Sequence, residues 1–171
     1  MIFSVHGPFA LPRKGRRLLT SASDRRKFWS SVDAKVPGLS SACGCYVFTV
    51  RGQAWYVGLA EKQSFNPECY SSHKIVLFRE ALDAVMGPAN LIFLAKRTLQ
   101  DRFAKPTVGS YPAARMLENM LIGLATARNK RLLNIRGTRF LKSMRVPGII
   151  NSGRGRSRAI AVQKLKYALG V

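Results

Sequence analysis

The sequence predicts a small α+β domain, a three-stranded antiparallel sheet flanked by helices with a basic helical extension at its C-terminus. Three observations predict it. Two strand-like runs, Cys45–Val50 and Ala54–Leu59, flank the turn residues Arg51-Gly52-Gln53. Apolar residues recur at helical spacing through Ile75, Phe78, Leu82 and Val85. From Arg128 to Val171 the chain carries 12 Lys/Arg and no acid.

Taken in order, residues 1–20 read as an extended arm closing on the basic run Arg13-Lys14-Gly15-Arg16-Arg17. Residues 21–35 suit a helix capped by Ser21 or Ser23 and stopped by Val36-Pro37-Gly38. The hairpin follows, then a helix over 68–86 ended by Gly87-Pro88. Asn90–Lys96 is apolar enough for a central strand. Tyr111–Arg128 is a strong helix, with Ser110 as cap and Pro112 in its first turn, where a missing N–H costs little. A last helix spans Arg158–Leu169, with Gly170 behind it. The division is an arm and helix over 1–41, a core over 42–135 and a basic extension over 136–171.

A chain of 171 residues can bury a real core. Its charge is lopsided, 29 Lys+Arg against 8 Asp+Glu, for a net +21 and a pI near 11.1. Such a particle repels itself unless it meets polyanions, so nucleic acid is the expected partner, ahead of an anionic membrane or a ribonucleoprotein. Apolar stretches such as Leu91–Ala95 and Met120–Ala127 are too short or interrupted for a membrane span. The N-terminal charge follows the apolar part, the reverse of a secretory signal. Three cysteines form no even disulfide set. A reducing cytoplasmic setting is therefore expected, nucleoid-associated in a bacterium.

The hairpin is flanked by Gly44-Cys45-Tyr46 and Tyr56-Val57-Gly58. With a three-residue loop, Phe48 pairs with Tyr56 and Tyr46 with Gly58. Tyr46, Phe48 and Tyr56 then share one face, and Gly58 leaves room beside Tyr46. A two-residue turn would slip the register and break that arrangement. An ordinary aromatic core face explains the same pattern. Glu118 is the last acid of the chain and lies in a helix apolar nearly all round. Its carboxylate needs a partner, either Arg115 one turn earlier or a hard divalent cation. Asn134, after Leu132-Leu133, suits a turn or cap.

This ordered set (GCY, YVG, a glutamate in a later apolar helix and an asparagine sixteen residues on) resembles the GIY-YIG nuclease domain over residues 42–135. The resemblance implies hydrolysis of nucleic-acid phosphodiesters, DNA more than RNA, with a single Mg²⁺ or Mn²⁺. Tyr46 would activate the water, Tyr56 would bind the phosphate or water network, Glu118 would hold the metal, and Asn134 would support the site. The family also carries an arginine in the first turns of the next helix, with a histidine four residues later. Here His73 fits the histidine, and Cys69 stands where the arginine belongs. Lys74, Lys62 and Arg79 are the substitutes at hand, and Lys74 is favoured because it adjoins His73, although lysine is a point charge and not a fork. A catalytically silent nucleic-acid-binding module on the same fold is the alternative. Zinc held by Cys43, Cys45, Cys69 and His73 is disfavoured by the tight Cys-x-Cys spacing. His6 has no partners in sequence. The run Asn151-Ser152-Gly153-Arg154-Gly155-Arg156, with Arg158, and Arg79 on its helix, are expected to touch the nucleic-acid backbone.

Overall fold

The computed structural model describes residues 2–134, 138 and 159–169. The chain forms two compact units, Met1–Asn134 and Ile135–Val171. The first holds an antiparallel sheet of four strands, with β1 (Ile2–Ala10), β6 (Ala89–Arg97), β4 (Gly44–Val50) and β5 (Gln53–Ala60) side by side in that order. A two-stranded ribbon, β2 (Arg13–Lys14) and β3 (Arg17–Leu18), follows β1. The helices are α1 (Ala22–Lys35), α2 (Phe65–Cys69), α3 (Ser72–Ala84), α4 (Pro112–Arg128) and, in the second unit, α5 (Ile160–Leu169).

Three strands were expected, and the fourth is the segment that reads as an arm. Gly7-Pro8 interrupts its pattern. The strand tolerates the pair because β1 lies at a sheet edge, where proline's missing N–H removes no ladder bond, and because its register with β6 shifts between His6 and Phe9. α1 begins at a capping box: Ser21 Oγ accepts from the Asp24 N–H at 3.1 Å, and Asp24 Oδ2 accepts from the Ser21 N–H at 3.2 Å. The single helix expected over 68–86 is two, broken at Tyr70-Ser71.

One sheet face carries Tyr46, Phe48, Tyr56 and Phe93 against Trp29 of α1, Phe65 of α2 and Phe78 of α3. Phe48 stacks on Phe78 at 4.1 Å between centroids, and Phe65 lies 4.8 Å from Phe93. The other face is covered by α4, where the Cys45 thiol donates to the Ala114 carbonyl at 3.2 Å. Cys43 and Cys45 are buried thiols bonded to backbone carbonyls, and burial pushes Cys45 up to about 12. They are core residues; among the described residues no three His, Cys, Asp or Glu side chains cluster to hold a metal. Among the described residues no helix is long and apolar enough to cross a membrane.

The hairpin reaches the expected pairing by a different route. Val50 faces Gln53 across a two-residue turn in which Arg51 (φ 53°) and Gly52 (φ 75°) both take the left-handed region. That turn alone would flip the faces. A bulge between Phe48 and Thr49 absorbs the slip: Thr49 faces Ala54, Phe48 faces Tyr56, and Trp55 is the extra residue. Beyond the bulge Tyr46 faces Gly58, so both tyrosines return to one side of the sheet.

Candidate active site

Tyr46 and Tyr56 lie 6.2 Å apart between ring centroids. Gly58 is what admits the Tyr46 ring, because a Cβ there would overlap it. The hydroxyls meet two charged residues from α2 and α3. Lys74 Nζ donates to the Tyr56 hydroxyl at 2.5 Å and sits 3.5 Å from Glu68 Oε1. The Tyr46 hydroxyl donates to the same Glu68 oxygen at a long 3.4 Å, while Gln63 donates to Oε2 at 2.6 Å. Glu68 is thus the junction of the cluster, and sequence reasoning missed it. On one continuous helix, residues six apart point about 120° away from each other and stand more than a turn apart along the axis; the break at Tyr70-Ser71 is what folds Glu68 back against Lys74.

Glu118 belongs to α4, which packs on the edge strand β5. Its carboxylate is half-buried, and burial pushes its pKa up, only partly opposed by the positive charges of Lys74 and Arg115, while Glu68 and Glu61 push it further. Arg115 is not its partner. Arg115 donates to Glu61 Oε2 from Nη2 at 2.9 Å and from Nε at 3.1 Å, and the Tyr111 N–H also donates to Glu61. Burial works to raise the Glu61 pKa, but these bonds outweigh it and hold the carboxyl below its ordinary range. Among the described residues, the Glu118 carboxylate makes no hydrogen bond or ion pair. A partly desolvated carboxylate without a hydrogen bond or ion pair among the described residues, within electrostatic reach of Tyr56, suits one hard cation, which keeps most of its waters and needs few protein ligands.

The remaining expected residues divide. Asn134 is buried, and its side chain is spent on backbone: Oδ1 accepts from the Val57 N–H at 2.9 Å and Nδ2 donates to the Val57 carbonyl at 2.7 Å. It stands in for a strand neighbour on the free edge of β5, helped by the Leu133 N–H on the Trp55 carbonyl and by Asn129 on the Ala54 carbonyl. His73 and Arg79 are exposed on α3, and His73 makes no hydrogen bond or ion pair with another described residue. Cys69 is fully packed, its thiol pushed well up by burial, so the position where the resemblance would put an arginine is a core position. Arg154, Arg156 and Arg158 lie outside the described residues.

The two tyrosines differ in access. Tyr46 is 0% exposed, and burial first, with the Cys69, Glu68 and Tyr56 charges, drives its phenol far above the ordinary value. Tyr56 is 8% exposed, and its pKa rises less because Lys74 bonds to it. Burial works to lower Lys74, and its bonds to Tyr56 and Glu68 outweigh that, keeping it a cation. No protein-family model, no curated protein and no solved structure matches this chain.

Proposed function

We propose that the protein is a metal-dependent endonuclease of GIY-YIG type that hydrolyses phosphodiesters in nucleic acid, with DNA preferred. One observation carries the reading: the partly buried Glu118 carboxylate, with no hydrogen bond or ion pair among the described residues, lies within electrostatic reach of Lys74, which bonds to Tyr56 beside Tyr46. A divalent cation held by Glu118 would supply Lewis-acid polarisation of the phosphate. Lys74 supplies the fixed positive charge for the phosphorane oxygens, the task of the missing arginine. The Tyr56 oxygen accepts from Lys74, so its own proton is free to bind a phosphate oxygen or the attacking water. Tyr46, buried and held protonated, positions Glu68, and Glu68 in turn positions Lys74.

The burial of Tyr46 and the packed Cys69 favour a second reading, a silent binding module. One set of assays separates them. Plasmid and structured RNA are incubated with Mg²⁺, Mn²⁺ or chelator. Metal-dependent cleavage is expected in the wild type, lost by at least 100-fold in Glu118→Ala with binding unchanged. Wild-type binding without cleavage selects the module, and an active Glu118→Ala removes Glu118 from the site. Mg²⁺ should also raise the melting temperature of the wild type and leave that of Glu118→Ala unmoved.

A further inference from the structure

We propose that the β2–β3 ribbon and the exposed side of α1 form a second nucleic-acid-binding surface, one that grips the sugar–phosphate backbone. It rests on the reading that nucleic acid is the partner, and not on cleavage. Lys14, Arg16 and Arg17 are exposed on the ribbon, and Arg26 and Lys27 are exposed on α1. Gly15 lies between Lys14 and Arg16, and a Cβ added there would meet nothing within 4 Å, so the ribbon tip stands clear of the rest of the unit. Arg13 donates to the Gly15 carbonyl at 2.9 Å and braces that tip.

Between α1 and α2 the surface is concave. A groove of 740 Å³ is lined by Arg25, Arg26, Ser30 and Thr20 on one side and Asn66 on the other. The single acid in its lining, Asp33, is bonded by the Ser40 N–H at 2.9 Å and the Ser40 hydroxyl at 2.5 Å. Asp24, the other acid of α1, is held in the helix cap. Arg25, Arg26 and the neutral hydrogen-bonding side chains of Thr20, Ser30, Ser40 and Asn66 share the wall with Ala22 and Trp29, and such cations and donors are what hold a phosphate–sugar chain. A membrane-binding surface would add exposed apolar side chains to insert among lipids. Here Leu11, Leu18 and Phe28 are buried, and Trp29, which lines the groove, is only 4% exposed.

Asn66 and Glu68 belong to the same short helix, α2, and Tyr70 at its end carries the Arg25 guanidinium 5.4 Å from its ring centroid.

The test compares two full-length quadruple variants with wild type. The patch variant carries Lys14→Ala, Arg16→Ala, Arg17→Ala and Arg26→Ala. It spares Arg25, whose Nε holds the Thr20 carbonyl at 2.9 Å. The control variant has equal charge and carries Arg51→Ala, Arg102→Ala, Lys105→Ala and Arg128→Ala. Anisotropy of a labelled 20-nucleotide strand and a 20-base-pair duplex is read between 50 and 200 mM salt, in chelator. The patch variant should bind at least about tenfold more weakly, with its log–log salt slope shallower by roughly 3, from four contacts at ~0.7–0.9 each. The control should lose much less. Equal losses in both would reduce the effect to net charge and overturn the surface, as would wild-type binding by the patch variant. If the substitutions instead abolish sedimentation with phosphatidylserine vesicles and leave nucleic-acid binding intact, the surface is a membrane contact and the proposal falls. Should the patch variant fold poorly, Arg16→Glu with Arg17→Glu at the free ribbon tip makes the same comparison. Wild-type binding without Mg²⁺-dependent cleavage, lost in the patch variant, would sink the nuclease and keep the surface. A patch variant that binds and cleaves like wild type would do the reverse.

Discussion

Burial lifts the Glu118 pKa above its ordinary 4.5, and the bonds from Arg115 and Tyr111 pull Glu61 below the same value. Their effects on stability therefore run in opposite directions. For Glu118 the stability contribution is complete below pH 4.5 and is lost as pH rises through the raised folded value, where a charge must be buried. Glu118→Gln should melt above wild type at about pH 7 and level with it at about pH 4. For Glu61 the contribution is present above pH 4.5 and fades as pH falls through the lowered folded value. Glu61→Gln should cost about 1–2 kcal/mol at neutral pH by urea denaturation, a figure kept low because Arg115 is half exposed. The deficit should shrink in acid. An unchanged Glu61→Gln would mean that Arg115 and Tyr111 do not hold this carboxylate in solution. Gly58→Ala drives a methyl into the Tyr46 ring and should cost roughly 1–3 kcal/mol. Most of that should return in a Tyr46→Val background, and an additive double-mutant cycle would separate the two residues.

The β4–β5 hairpin explains how much of the site can be read from one sequence. Its flanking triplets sufficed to align Tyr46 with Gly58, because glycine opposite tyrosine and the need for a common face both constrain the pairing. The turn was not legible. Arg51 is an unusual residue for a left-handed turn position, so a three-residue loop was the simpler reading, and no local signal marks Trp55 as bulged. Arg51→Asn should therefore stabilise the fold by about 0.5 kcal/mol, since asparagine tolerates that conformation; a loss in urea titration would show that the Arg51 stem packed beside Gly87 matters more. β1 was hidden by Gly7-Pro8, which a sheet accepts only at an edge. Glu68 was hidden by a helix break that no proline or glycine announces, and the Glu61 pairing by a sequence separation of 54 residues.

Across the whole molecule, a net +21 makes binding to polyanions depend steeply on salt. If about six phosphates are contacted, the log–log slope should lie on the order of −4 to −5 by titration between 50 and 200 mM salt. A flat response would remove the electrostatic case for nucleic acid altogether. The same charge keeps molecules apart, and the free edge of β5 shows where that protection is backed by geometry. Asn134, Leu133 and Asn129 occupy the outward carbonyls of Ala54, Trp55 and Val57 and the outward Val57 amide. Without that covering, β5 becomes a template on which a second copy can add a strand. Asn134→Ala should thus behave as a solubility mutant, with light scattering and thioflavin signal rising first at high salt, where mutual repulsion is screened and an uncovered edge can find its twin.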